Sequence, residues 1–373
     1  MSGEAPGLRF PTYDSIGVRP LINCRGTYTI ISGSLLLPAA RAARQEASRR
    51  YVHLDELAEA VGARLAELME CEWGLIVNGC AAALCQVAAA CVAGTDPEKM
   101  ERLPDATGMK DEVIVQKGHR HGYDRAVRMT GARLVEVESL AELEAAVSER
   151  TAMLLIFGDA GDRGPIPVPE MTAVGRRHGI PSLVDAAAER PDVPNRYLAE
   201  GASAVAYSGG KCLRGPQASG LILGERELLE AAFRNGAPHH SLGRPMKAGK
   251  EEVMGLLAAV EMWVRRDHEA EWQEWLRRLE VIGGAVRDVD TVETAVNEKT
   301  GRSNVAPGLN VAWDPEAVGL DGAGAAWALS SGDPRIEVFH GERSVEFNPY
   351  MMEEGEEEVV ARRLRQVLAG EGR

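Results

Sequence analysis

The stretch Ala206-Tyr207-Ser208-Gly209-Gly210-Lys211-Cys212-Leu213-Arg214-Gly215-Pro216-Gln217-Ala218-Ser219-Gly220 decides how this chain is read. It sets a lysine in a glycine- and proline-bounded turn between two apolar runs, SAVAYS before it and GLILG after it. Glycines let a backbone fold closely around a ligand. Partial desolvation on such a turn makes a lysine side chain a nucleophilic amine. Ser208 adds a hydroxyl three residues upstream, and Ser182-Leu183-Val184-Asp185-Ala186 ends an apolar run in an aspartate 26 residues before the lysine. An amine that condenses with an aldehyde, and a carboxylate that keeps a pyridine nitrogen protonated, are the two anchors of pyridoxal 5′-phosphate (PLP). Read singly, Lys211 is also compatible with a surface lysine and Asp185 with a helix cap.

Outward from this turn, short apolar runs alternate with helix-length segments from Glu72 onward. The predicted strands are 74–78, 112–116, 133–137, 152–157, 182–185, 203–208 and 220–224. Continuous apolar strands separated by helices predict an α/β fold, with a mostly parallel seven-stranded sheet in a large domain. Ligands of such a sheet bind at the carboxyl ends of its strands. Asn78-Gly79, Gln116 to His121, Asp185 and Ser208 to Lys211 all fall at such ends. Residues 38 to 70, with Leu54, Leu57, Val61, Leu65 and Leu68 at helical spacing, predict helix. One long helix is expected from Lys250 through Gly284, leading to a small α/β C-terminal domain. Its expected strands lie in 309–313, 336–340 and 344–348, with helices over 322–332 and 353–369. The glutamates of 353–358 read as a solvated helix N-terminus suited to the dipole. The expected division is an N-terminal arm (1–50), a large domain (51–248), and an interdomain helix with the small domain (249–373).

Four segments carry a family likeness. Ile22-Asn23-Cys24-Arg25-Gly26-Thr27-Tyr28-Thr29 resembles "INARGTYT", and His119-Arg120-His121-Gly122-Tyr123-Asp124 resembles "HRNxYD" with histidine where asparagine is usual. Gly243-Arg244-Pro245-Met246-Lys247-Ala248-Gly249-Lys250-Glu251-Glu252 is similar to "GRPMKxGKEE", and the lysine turn completes the set. The order resembles fold-type I PLP enzymes. The wording resembles, more narrowly, the family of bacterial selenocysteine synthase (L-seryl-tRNA selenium transferase) and D-glucosaminate-6-phosphate ammonia-lyase, strongly over about residues 20–260.

The resemblance implies PLP on Lys211 as a Schiff base, with the freed amine moving the substrate Cα proton. It implies Asp185 against the pyridine nitrogen and His119 stacked over the ring. Gly79, Cys80 and Ala81 open an alanine-rich helix after a strand, where backbone N–H groups suit the cofactor phosphate, with Ser208 adding its hydroxyl. Arg25, Tyr28, Arg214, Arg244, Lys247 and Lys250 are candidate carboxylate or phosphate clamps, because guanidinium grips carboxylates bidentately. His121 is a candidate on the substrate side, and Glu189 and Arg335 merit testing.

Lysine and aspartate alone permit transamination, racemisation, retro-aldol cleavage or elimination. The resemblance favours α,β-elimination from an amino acid or amino-sugar acid, giving a 2-oxo acid and ammonia. A racemase or aldolase, and a PLP-binding protein without catalysis, are the alternatives. Selenium transfer to a tRNA is disfavoured: the net charge is −14, whereas phosphate contacts need a basic patch. The family's tRNA-binding enzyme also carries an extra N-terminal domain, whereas here the core motif begins at Leu21. The expected partner is a small, acidic amino acid substrate and further copies of the chain in a homodimer or larger homo-oligomer, with no nucleic acid and no membrane. Neither a signal peptide nor a membrane span is legible. The six cysteines form no CxxC pair, so no metal is expected and reduced thiols in the cytoplasm are favoured.

Overall fold

The computed structural model describes residues 10–158, 163–298 and 301–370. The chain packs as two units, one of Ser32–Arg266 with Gly301–Val305, the other of Met1–Ile31, Asp267–Thr300 and Ala306–Arg373.

The first unit is built on one seven-stranded sheet. Its strands are β1 (Trp73–Val77), β2 (Glu112–Gln116), β3 (Arg133–Val137), β4 (Thr151–Phe157), β5 (Ser182–Asp185), β6 (Ala204–Ser208) and β7 (Gly220–Gly224), ordered β1-β7-β6-β5-β4-β2-β3. Only β7 runs against the others, pairing antiparallel with both β1 and β6. Every residue of β1, β2, β5 and β7 is buried, as expected of strands covered on both faces. The seven predicted strands are all present, in one sheet.

Helix α1 (Gly79–Ala93) is alanine-rich and apolar all round, the composition of a helix enclosed by core rather than laid on a surface. Leu84, Cys85, Val87, Ala88 and Ala89 join Val113, Leu155, Leu183, Ala206 and Ile222 in the core. Residues 38–70 are not one helix: Pro38–Ala47 and Leu54–Met69 are separated at Ser48–His53. The long helix expected from Lys250 is also two, α2 (Lys250–Trp263) and α3 (His268–Gly284). The second starts where the Asp267 carboxylate accepts the Ala270 N–H at 2.9 Å. A side-chain cap at Asp267 supplies a new helix start, which apolar spacing alone does not register.

The second unit holds a four-stranded antiparallel sheet, ordered Phe339–His340, Ser344–Phe347, Gly308–Ala312, Glu293–Asn297. A parallel pair, Leu21–Asn23 with Arg335–Glu337, places the N-terminal motif in this unit. Trp313, Phe347, Leu279 and Leu364 are among its core residues. The terminal helix spans Glu356–Ala369, and its glutamates are not all solvated: Glu357 is buried and ion-paired with Arg277. Glu293–Asn297 escaped sequence reading because most of its side chains are exposed and mixed in character.

Candidate active site

The carboxyl ends of β1, β2, β4, β5 and β6 converge on one group of side chains. β5 ends at Asp185, which is 2% exposed. Its Oδ1 accepts the Ala187 N–H at 3.1 Å and faces the Cys80 thiol at 3.5 Å, while Oδ2 lies 3.5 Å from His121 Nε2. Burial pushes this carboxyl above its usual range. The His121 ring, the Ala187 N–H, the Cys80 thiol and the Lys211 ammonium oppose that push.

The lysine turn follows the neighbouring strand β6. Gly209 N–H donates to Ser219 O at 2.9 Å, and Gly215 N–H to Gly209 O at 2.8 Å. Gly210 O accepts from Ser34 Oγ at 2.8 Å and Gln217 Nε2 at 2.9 Å. A Cβ on Gly210 would come within 2.8 Å of Gln217 Cα, so the turn closes only with glycine there. Lys211 is half-buried, and its charge acts on both Cys80 and Asp185. Arg214, at φ +53°, donates through Nε to Leu35 O at 3.1 Å and fastens the turn to the chain at 34–37.

Gly79 opens α1 at φ +82°, with nothing within 4 Å of where a Cβ would stand. Asn78 makes no side-chain cap and Ala81 is exposed, so no side chain caps the first N–H groups of α1. Cys80 turns its side chain inward to Asp185. Burial and the Asp185 charge hold its thiol well above the ordinary range, Lys211 acting the other way. The sequence pointed to the Cys80 backbone and missed this thiol contact.

The two histidines of the β2 loop divide their work. His119 is 4% exposed; its Nδ1 accepts the Phe157 N–H at 3.2 Å, and its Nε2 lies 3.3 Å from Gln116 Nε2. That amide is fixed by Ile166, whose N–H donates to Gln116 Oε1 at 2.9 Å and whose O accepts from Nε2 at 2.8 Å. Burial, the Arg163 charge and His121 lower the His119 pKa to about 4. His121 is the histidine in contact with Asp185, and its ring packs on Phe157 at 4.7 Å between centroids. Arg163 lies 4.6 Å from the Phe157 centroid. Phe157 and Arg163 were not among the sequence candidates, although Phe157 ends a predicted strand.

The basic candidates separate. Lys250 Nζ donates to Ala47 O at 2.8 Å and pairs with Glu251, so it is occupied as a helix-end contact. Arg244 and Lys247 are exposed, with no ion-pair partner among the described residues. Arg25 lies in the second unit, 3.4 Å from Glu337 and over the rings of Tyr28 and Phe339. Tyr28 is half-exposed against Phe339, and Arg335 Nε donates to Ser330 O at 3.1 Å. Glu189 is buried against Tyr197 and Arg302, whose Nε donates to Glu189 Oε2 at 2.7 Å.

These residues fit PLP. A buried carboxylate pushed upward by desolvation is short of a positive charge, which a protonated pyridine nitrogen supplies. The open start of α1 suits a phosphate. Lys211 stands in the turn after the strand beside Asp185, with β5 and β6 in parallel register at Asp185 and Ala206.

Comparison with known proteins agrees. The L-seryl-tRNA selenium transferase (SelA) family profile matches residues 46–301. A 5'-C-glycyluridine monooxygenase-decarboxylase of a Streptomyces species is 34% identical over 379 residues, spanning 96% of this chain and 92% of that protein. A D-glucosaminate-6-phosphate ammonia lyase of Salmonella typhimurium is 30% identical over 372 residues, spanning 95% and 97%. A solved D-glucosaminate-6-phosphate ammonia-lyase structure matches with TM-score 0.85 at 26% identity, over 97% of this chain and 99% of that one. An L-seryl-tRNA(Sec) selenium transferase of Moorella thermoacetica is 28% identical, and the alignment spans only 57% of its length.

Proposed function

Because the chain belongs to the L-seryl-tRNA selenium transferase (SelA) family of fold-type I PLP enzymes, we propose that it is a lyase acting at the Cα of a sugar-derived amino acid. The observation that carries this is the buried Asp185 carboxylate on the strand beside the Lys211 turn, facing the open start of α1. Both well-covered relatives are named for substrates that join an amino acid function to a sugar skeleton, a glucosaminate and a glycyluridine.

Bound PLP supplies an electron sink for the pair left at Cα when its proton is removed. Lys211 would hold the cofactor, and its free amine would take the Cα proton on Nζ. Asp185 would lie against the ring nitrogen, and the N–H groups of Gly79 to Ala81, with Ser208, would hold the phosphate. The β-hydroxyl leaves with a proton as water. Hydrolysis then returns a water, so the balance is one β-hydroxy amino acid to one 2-oxo acid and one ammonia.

Exposed Arg244 and Lys247 support an acidic substrate. A homodimer or larger homo-oligomer is proposed from the family resemblance alone, and light scattering tests it. Among the described residues no helix is long and apolar enough to cross a membrane. The free cysteines suit the cytoplasm.

The deciding experiment offers the protein a panel of sugar-derived amino acids in deuterated water. It follows ammonia, 2-oxo acid and Cα–H exchange. Exchange without ammonia overturns elimination in favour of racemisation. The relative at 34% identity favours a second reading, oxidative decarboxylation, which oxygen uptake with carbon dioxide release would select.

A further inference from the structure

Asp185 is held by three groups on three different segments, and they are not equivalent. Oδ1 is taken by the Ala187 N–H at 3.1 Å and by the Cys80 thiol at 3.5 Å. Oδ2 has one partner among the described residues, His121 Nε2 at 3.5 Å. The tautomer of that ring follows from its other side: Nδ1 accepts the Tyr123 N–H at 3.3 Å, so the ring hydrogen of the neutral form sits on Nε2, the nitrogen 3.5 Å from Asp185 Oδ2. Packing fixes the plane. The ring lies on Phe157 at a 36° tilt, and the Phe157 ring also carries the Arg163 guanidinium. The side chain is 13% exposed. A ring fixed by a backbone N–H on one edge and an aromatic face on another keeps Nε2 beside Asp185 Oδ2.

We propose that His121 is the positioning residue for Asp185, orienting Oδ2 and holding the carboxylate anionic for the pyridine nitrogen, rather than a substrate-binding side chain. The inference rests on the PLP reading above. An unpartnered carboxylate oxygen in a site this dry costs far more than one that accepts a hydrogen bond, and burial already disfavours the charged form of Asp185. Of the groups that face this carboxylate, Ala187 gives a fixed neutral donor and Cys80 a weak one. Lys211 is the residue to be consumed in holding the cofactor. Among the described residues His121 alone meets Oδ2, and its contact survives cofactor attachment. Asparagine at this position ends nearer the backbone and forfeits the long reach to Oδ2.

Two independent readouts test the proposal. In cofactor-free protein, 15N NMR of His121 should show hydrogen on Nε2 and a bare Nδ1. The Nε2–H signal should shift in Asp185→Asn, whereas the Nδ1 signal should stay. In the PLP titration, followed by tryptophan fluorescence, His121→Asn should raise Kd about tenfold, a loss of about 1.4 kcal/mol. It should also move the visible absorption maximum of the bound cofactor and lower kcat with little change in KM. His121→Gln, which restores a long neutral donor, should recover most of the affinity and guards against a variant that fails to fold. Hydrogen on Nδ1, or an Nε2–H signal indifferent to Asp185→Asn, overturns the proposal. So does a PLP Kd and absorption maximum unchanged in His121→Asn. Failure of wild-type protein to bind PLP would instead sink the cofactor reading, and the NMR arm would still decide the His121–Asp185 contact.

Discussion

Cys80 Sγ stands 3.5 Å from Asp185 Oδ1 and joins the first turn of α1 to the end of β5. Burial and the Asp185 charge both disfavour a thiolate there. Cys80 should therefore resist iodoacetamide at pH 8.5 in folded protein and react in urea. Peptide mass spectrometry reads both states, and rapid native labelling of Cys80 would contradict the protonated-thiol assignment.

Lys211 should be the attachment point of PLP. Purified protein with PLP should absorb in the visible, borohydride should bleach it irreversibly, and the added mass should map to the Lys211 peptide. Lys211→Ala should lose the fixed adduct and at least about a thousandfold of turnover, the loss of both attachment and proton transfer. An adduct that persists in Lys211→Ala would end the assignment.

The His119 ring predicts a specific acid sensitivity. Its folded pKa of about 4 lies below the ordinary 6.5, so the folded state refuses a proton that the unfolded state accepts. Its contribution to stability is complete above pH 6.5 and declines as pH falls from 6.5 towards 4. The total is about 3 kcal/mol. Urea unfolding at pH 7 and at pH 4.5 should show a smaller acid loss in His119→Asn than in wild type. Equal losses in the two proteins would show that the ring is not held neutral.

Glu189 is 1% exposed and pairs with Arg302. Arg302→Met should cost about 2 kcal/mol, less than a fully buried pair because Arg302 is a third exposed. Adding Glu189→Gln should recover much of that loss. A double-mutant cycle from denaturation midpoints measures the coupling, and additive losses would show that the two side chains do not stabilise each other.

Arg244 and Lys247 are free to meet an anionic substrate group. Arg244→Ala and Lys247→Ala, made singly, should lower kcat/KM about tenfold for a phosphorylated amino acid and little for its unphosphorylated analogue. Equal losses for both substrates would exclude a distal anion clamp.

The sheet was legible because its strands are continuous apolar runs, a pattern that burial on both faces enforces. That Asp185, Lys211 and Gly79 sit at or just after strand ends could be read because the strands themselves could be. The helix interruptions were not: the start of α3 depends on the Asp267 cap, a local competition that apolar spacing does not record. Nor could sequence rank the two histidines. Residues 119 and 121 are two apart on an irregular loop, where no periodicity says which ring turns inward to Phe157 N–H and which reaches Asp185. The Glu189–Arg302 pair spans more than a hundred residues and leaves no trace in composition.

The single reversed strand, β7, has a consequence for how this protein can change. Because β6 and β7 are antiparallel neighbours, with Ser208 paired to Gly220, the lysine loop 209–219 is anchored at both ends within the sheet. A crossover helix would have separated those ends and left slack for insertions. Residues added or removed in 209–216 act directly on the turn that carries Lys211, which backbone and side-chain hydrogen bonds hold. The loop is thus a poor place to graft a tag or diversify a library. Arg244 and Lys247 themselves lie outside the sheet with exposed side chains, so their side chains can be varied without touching the sheet.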